Sequence, residues 1–261
     1  MCSIIGYYGK NLAAPILVKG LEKMEYRGYD SVGVATKSEN EIIVKKGVGK
    51  VIEVNNAIHL DDLPGITGIG HTRWATHGKV TDTNAHPHSS NSGKIAIVHN
   101  GIIENFQELK DGLISDGYNF QSDTDTEIIA NLIQKNFEKT SDIKQTIIDT
   151  VSSLKGHYAF VVIFDDGTLA AARFHEPLIV GVGKNSHYLS SDVLGFIERT
   201  DDAIYIDNRD FVIVNDAGLE IYNFDGMQVK RQITKVSKEF ADVYKGDYAH
   251  FTLKEISEQP D

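Results

Sequence analysis

The strongest constraint on the fold is a series of short strand patterns joined by turns that reverse the chain. Tyr158–Phe164 runs into Asp166-Gly167 and out again as Leu169–Arg173. Phe211–Val214 leads into Leu219–Phe224, and Asp225-Gly226 then turns toward Met227–Ile233. An Asp-Gly pair between strand-period segments favours a tight hairpin, because glycine reaches positive φ without steric cost. Hairpins pair their strands antiparallel. Further strands are expected at Met1–Tyr8, Asp30–Thr36, Glu41–Lys45, Thr67–Trp74, Ile95–His99 and Pro177–Gly181.

Helical stripes lie between the strand-rich ends. Pro15 fits the first turn of an early helix that buries Ile16, Leu17, Gly20, Leu21 and Met24 on one face. Asn105 with Glu108 has the spacing of a capping box ahead of Phe106, Leu109 and Leu113, and Gly117 ends that helix. Thr124 with Glu127 repeats the device before Ile128, Ile129, Leu132, Ile133 and Phe137. Ile143, Ile147, Val151 and Leu154 form a third stripe. The expected class is α+β, with antiparallel sheets and helices packed on their faces. From about Lys238 onward the periodicity stops, and the chain reads as a tail or linker.

Composition narrows the function. The 261 residues carry 26 Lys and Arg against 37 Asp and Glu, a formal charge of −11. That balance argues against binding a nucleic-acid backbone, which needs clustered cations to displace counterions. No run approaches the ~18 apolar residues of a membrane helix. The N-terminus lacks a basic stretch followed by an apolar core, so the expected location is the cytoplasm. A single cysteine, Cys2, excludes an internal disulfide and any multi-cysteine metal site.

The position of that cysteine matters more than its count. Removal of Met1 would leave a thiol and a free α-amine on one residue. Their reference pKa values, ~8.5 and ~7.7–8.0, let the amine accept the thiol proton without a separate histidine. A lone cysteine is otherwise a small buried hydrophobe. Arg73-Trp74-Ala75-Thr76-His77-Gly78 offers a guanidinium to clamp a carboxylate, further donors in Thr76 and His77, a covering indole and a hinge at Gly78. Asn100-Gly101, at the end of an apolar strand, could supply an amide and a backbone N–H to an oxyanion, or form a plain hairpin turn. Within Asp123-Thr124-Asp125-Thr126-Glu127, some side chains cap a helix, and one turned outward could bind an ammonium group. Arg27 and Gly28, in Glu25-Tyr26-Arg27-Gly28-Tyr29-Asp30-Ser31, could lower a neighbouring thiol pKa and permit close backbone approach. His86-Pro-His88 is a metal-binding candidate, but a catalytic metal usually takes about three protein ligands and no complement is evident.

The segments MCSIIGYYG, LEKMEYRGYDSVGVA, GIGHTRWATHGKVTDTNAHPHS, IAIVHNGIIENFQELK and SDTDTEIIANLI together closely resemble the glutaminase domain of the glucosamine-6-phosphate synthases, the isomerizing glutamine–fructose-6-phosphate aminotransferases. The resemblance implies an N-terminal nucleophile hydrolase fold, a four-layer αββα sandwich of two antiparallel sheets between helix layers. It implies a glutaminase domain over residues 1–238, and over 239–261 a linker toward a sugar-isomerase domain that is absent here. It casts Cys2 as nucleophile and its amine as base, with Asn100 and the Gly101 N–H holding the oxyanion. Arg27 and Gly28 would order the nucleophile's surroundings. Arg73, Thr76 and His77 would bind the α-carboxylate of L-glutamine, Asp125 with the Gly101 backbone its α-ammonium, and Trp74 would lie on a mobile loop. Neither metal nor cofactor is implied, and a homo-oligomer is compatible. One residue departs from the family pattern: Ser3 stands where glycine usually follows the cysteine, which would strain the backbone if φ there is positive. Two alternatives remain open at this point. One is a silent binding module with Cys2 blocked by Met1; the other is a metal hydrolase using His86 and His88.

Overall fold

A computed structural model of the chain describes residues 2–74 and 78–237, together with Ser257. Met1, Thr76, His77 and nearly all of the expected linker lie outside the described residues.

Two antiparallel sheets dominate the structure. The first contains eight strands: β1 (Ser3–Tyr8), β2 (Ser31–Lys37), β3 (Ile42–Val48), β4 (Thr67–Arg73), β9 (Ile179–Val182), β10 (His187–Ser190), β11 (Asp202–Tyr205) and β14 (Ile233–Lys235). Their spatial order is β14-β11-β9-β10-β1-β4-β2-β3. The second contains β5 (His88–Ser89), β6 (Ile95–Ile103), β7 (Gly156–Phe164), β8 (Leu169–Phe174), β12 (Asp210–Asn215) and β13 (Gly218–Asn223). Its order is β13-β12-β8-β7-β6-β5.

Strand periodicity explains the layering. Along β7, Phe160, Val162 and Phe164 face the helices α4 (Thr126–Thr140) and α5 (Ile143–Ser153), while Ala159, Val161 and Ile163 face the other sheet. Along β1, Ile5 and Tyr7 pack with Leu17 and Leu21 of α1 (Ala13–Lys23), whereas Ile4 points into the space between the sheets. Each strand of this kind is buried on both faces, so its sequence reads as a nearly unbroken apolar run. Three core layers result, and the helix–sheet–sheet–helix order is the expected αββα sandwich. Fully burying a side chain such as Val161 is worth ~1.5–3 kcal/mol, so these layers supply most of the driving force.

Several local expectations need correction. Neither capping box forms. The Asn105 side chain instead bridges Ser153 O and Lys155 N, tying α3 (Phe106–Ser115) to the end of α5. Glu127 turns back to accept from the N–H groups of Gln121 and Ser122 and from the Ser122 hydroxyl, and Thr124 bonds to His88. Tertiary partners outcompete the local cap because they satisfy more donors at once. α5 does carry a side-chain cap, with Asp142 accepting from Gln145 N at 3.1 Å.

The Asp166-Gly167 hairpin forms, with Gly167 at φ 85° and Thr168 N bonded to Asp166 Oδ1. The Asp225-Gly226 turn forms too, but its return does not propagate as a strand over Met227–Ile233. Only a single bridge at Gln228 follows, and β14 begins at Ile233. Among the described residues, one α-helix and four strands escaped the sequence reading: α2 (Val51–Ile58), β5, β10, β11 and β14. Each is short, and the strands, of four residues or fewer, take their definition from sheet neighbours. Among the described residues, no helix is long and apolar enough to cross a membrane.

Candidate active site

The two sheets bring distant strands to one end of the sandwich. Cys2 sits just before β1. β1 pairs with β4, placing Ser3 opposite Thr72, and β4 pairs with β2, placing Arg73 opposite Ser31. β6 of the second sheet brings Asn100 and Gly101 across. A cleft opens there, lined by Cys2, Arg73, Trp74, Gly101, Asp125 and neighbours that include His86, His99, Ile102 and Phe106.

Cys2 is tightly held. Its Sγ accepts from Trp74 N–H at 3.2 Å. Its carbonyl accepts from Asn100 Nδ2 at 3.1 Å and from Arg27 Nε at 3.2 Å. Burial pushes the thiol pKa up, against the opposing pull of the Trp74 N–H and the Arg73 and Arg27 charges. The thiol is therefore protonated at neutral pH, and nucleophilic attack requires a base to take its proton.

The segment Glu25–Ser31 explains itself residue by residue. Glu25 Oε1 accepts from Val51 N at 2.8 Å, anchoring the start of α2. Tyr26 donates its hydroxyl proton to Asp192 Oδ2 at 2.6 Å, and Arg27 reaches the same oxygen at 3.4 Å. Gly28 has extended backbone, so its value is space. A Cβ there would lie 2.8 Å from Trp74 N and 2.9 Å from Arg73 C. Tyr29 meets Trp74 edge to face, with ring centroids 5.7 Å apart. Asp30 N donates to Arg73 O at 3.0 Å.

Gly101 is required by two independent facts. Its φ is 118°, and an added Cβ would come within 1.9 Å of the His157 carbonyl oxygen. Asn100-Gly101 is thus not a hairpin turn: β6 continues through it to Ile103. Asp125 directly precedes α4, yet its side chain makes no cap. Oδ2 accepts from Ile103 N at 2.8 Å, and the partly exposed carboxylate lines the cleft. Arg73 is buried, and its Nη1 donates to Lys79 O at 3.4 Å. Trp74 is 43% exposed at the rim. The structure thus gathers Cys2, Arg27, Gly28, Arg73, Trp74, Asn100, Gly101 and Asp125, while Thr76 and His77 lie outside the described residues.

Ser3 opens β1 with its side chain fully buried, donating Oγ–H to Met24 O at 2.9 Å. It is not among the positive-φ residues. The backbone there suits serine, and the departure from glycine adds a hydrogen bond.

The histidines form a buried polar wall behind the cleft. His71 stacks on His86 with centroids 4.1 Å apart, and His88 meets His86 edge-on at 4.8 Å. His86 Nδ1 accepts from His99 N–H, its Nε2 faces Thr126 Oγ1, and His88 Nε2 contacts Thr124 Oγ1. Burial lowers the pKa of all four rings, His71 to about 3, and keeps them neutral. His86 and His88 are thereby engaged in hydrogen bonds. Among the described residues, no group of three or more His, Cys, Asp or Glu side chains converges to hold a metal ion.

The sequence reading missed two supports of the site. Asp192 is the shared acceptor for Tyr26 and Arg27, and it also caps a short turn through Leu194 N. Asn84 links Lys79 O to the N–H and carboxylate of Asp123, tying the segment after Arg73 to the segment before α4. No local pattern points from either residue to the site, because Tyr26 and Arg27 lie more than 160 positions from Asp192 and Asp123 lies 39 from Asn84.

Comparison with known proteins agrees with this geometry. Residues 71–197 match the glutamine amidotransferase domain model. The isomerizing glutamine–fructose-6-phosphate aminotransferase of Pyrococcus horikoshii is 46% identical over the whole chain, and that of Aquifex aeolicus 45%. The chain spans 44% of the length of each, less than half. Among solved structures, the glutamine phosphoribosylpyrophosphate amidotransferase of B. subtilis superposes with a TM-score of 0.75 at 28% identity, covering 85% of this chain and 49% of that one. An allosteric regulatory enzyme of purine biosynthesis gives 0.76 at 27% identity, with the same coverage. The two-sheet sandwich, the cleft and these likenesses agree that the chain carries a glutamine amidotransferase domain similar to those of these enzymes.

Proposed function

We propose that this chain hydrolyses L-glutamine to glutamate and ammonia through a thioester on Cys2. The observation that carries the proposal is the position of the Cys2 thiol. It lies in a cleft also lined by a buried arginine and a partly exposed carboxylate, with the Asn100 amide bonded to the Cys2 backbone. Arg73 is the counter-charge for the α-carboxylate, with Thr76 and His77 as further donors. Asp125 is the counter-charge for the α-ammonium, and Trp74 covers the bound amino acid.

After removal of Met1, the freed Cys2 amine takes the thiol proton. Sγ attacks the side-chain amide carbon, and the C–N bond breaks as the amine returns the proton to the leaving nitrogen. Ammonia and a γ-glutamyl thioester result. Water then adds to the thioester carbonyl, the C–S bond breaks, and glutamate leaves with the thiol restored. Asn100 Nδ2 carries two protons and spends one on the Cys2 carbonyl, so the second is available to the oxyanion beside the Gly101 N–H. Each such donor is worth roughly 10²–10³ in rate. Arg27 and Gly28 hold the nucleophile's backbone and the approach of Trp74.

Residues 1–238 form the glutaminase unit in this proposal. Residues 239–261 lead toward a sugar-isomerase domain, where ammonia converts fructose-6-phosphate to glucosamine-6-phosphate. The setting is cytoplasmic, as for a biosynthetic enzyme with no membrane helix among its described residues. The test is glutamate and ammonia release from glutamine by the wild-type chain and by Cys2→Ala, with intact mass reporting Met1 removal. Turnover by processed wild type and none by Cys2→Ala supports the proposal; equal rates refute it. For the sugar step, the sequence beyond residue 261 and glucosamine-6-phosphate formation by the full-length product are the deciding observations.

A further inference from the structure

An asparagine can serve an oxyanion only if its NH₂ end faces the reacting carbonyl; turned by 180°, it presents an oxygen and repels the developing charge. Its orientation therefore needs a cause. His71 is buried on β4, its ring stacked on His86, with Nε2 lying 3.0 Å from Asn100 Oδ1 and 3.1 Å from the His99 carbonyl oxygen. A backbone carbonyl only accepts, so Nε2 carries the proton. The other ring nitrogen, Nδ1, is buried without a hydrogen-bond partner among the described residues. A proton placed there would be an orphaned donor and would cost both Nε2 bonds.

From these contacts we propose that His71 is a positioning residue: its Nε2–H fixes the Asn100 amide with Oδ1 turned inward and Nδ2 turned toward the nucleophile. The far side of the amide agrees independently, since Nδ2 meets the Cys2 carbonyl, another obligate acceptor, at 3.1 Å. Flipping the amide would set donor against donor at His71 and acceptor against acceptor at Cys2. His71 itself touches no substrate and acts only through Asn100. The inference rests on the oxyanion role proposed above for Asn100.

Two measurements test it. In the intact chain at pH 7.5, ¹⁵N spectra of the histidine side chains are expected to show His71 as the neutral Nε2–H tautomer; an Nδ1–H tautomer overturns the proposal. The second is a double-mutant cycle on glutaminase kcat. Asn100→Ala is expected to lower kcat by about 10²–10³. His71→Leu should lower kcat by at least about tenfold with KM for glutamine changed less than about threefold, since the substrate's charged ends bind elsewhere. His71→Gln, which restores an N–H donor, should recover part of that loss. In the Asn100→Ala background, His71→Leu should cost nothing further; a full multiplicative loss there overturns the proposal. An Asn100→Ala enzyme with unchanged kcat would instead refute the oxyanion reading, and the tautomer measurement would still decide the orientation. If His71→Leu fails to fold, the cycle is run with His71→Gln, where a multiplicative effect with Asn100→Ala again overturns the proposal.

Discussion

His71 makes the acid sensitivity of the fold calculable. In the folded chain, burial, offset in part by its hydrogen bond to Asn100, brings its pKa down to about 3. In the unfolded chain the reference value is ~6.5. The folded pKa is the lower one, so between these values the unfolded chain binds the proton and the folded chain does not. Stability therefore falls as pH drops through that window. Each unit is worth ~1.36 kcal/mol, so the 1.5 units from ~6.5 down to pH 5 cost about 2 kcal/mol from this one ring. That is a large share of the ~5–15 kcal/mol typical of a folded domain. His86, His88 and His99 act with the same sign. To isolate His71, wild type and His71→Gln are unfolded in urea at pH 7.5 and pH 5 at equal ionic strength. Contributions from other groups largely cancel in the difference. Any advantage of wild type over the variant should shrink by about 2 kcal/mol on going to pH 5. A difference that is constant or grows would mean that His71 protonates in the fold as readily as in solution, and the reasoning would be wrong.

Three further outcomes follow from the same geometry. Ser3→Ala removes a buried hydrogen bond to Met24 O and is expected to cost roughly 0.5–1.5 kcal/mol, read as a lower midpoint in thermal unfolding; an unchanged or raised midpoint would contradict the anchor. Gly101→Ala must place a methyl where the His157 carbonyl already lies, at positive φ, so a loss of at least about 2 kcal/mol is expected in chemical denaturation, and near-wild-type stability would contradict the register of β6. Asp192→Ala leaves the Tyr26 hydroxyl and Leu194 N–H without their shared acceptor and frees Arg27, for an expected cost of roughly 1–3 kcal/mol; a loss under about 0.3 kcal/mol would show that solvent replaces it.

The sequence by itself determined the class of fold and most of the site. Apolar strand segments joined by Asp-Gly turns require antiparallel sheets, and the helical stripes of α1, α4 and α5 supply the apolar faces that cover them. The residues of the cleft were candidates in the sequence because contiguous segments carry them and together resemble a family's motifs: a cysteine beside the chain start, an arginine at a strand end, Asn-Gly after an apolar run.

What only the tertiary structure decided is where polar side chains find their partners. Thr124 and Glu127 have the spacing of a cap, yet Glu127 satisfies the donors of the preceding loop instead. Ser3 was ambiguous until the backbone fixed its φ and offered Met24 O. The histidines read as packing groups, with metal binding by His86 and His88 as the competitor, until the sheets stacked the His71 and His86 rings and gave His86 and His88 hydrogen-bond partners. His71, Asn84 and Asp192 carry no local signature at all. Hydrophobic periodicity is written into neighbouring residues because burial is nondirectional and needs only the right face. Hydrogen bonds are directional and short, so their partners exist only after β1, β4 and β6 have brought remote segments within about 3 Å.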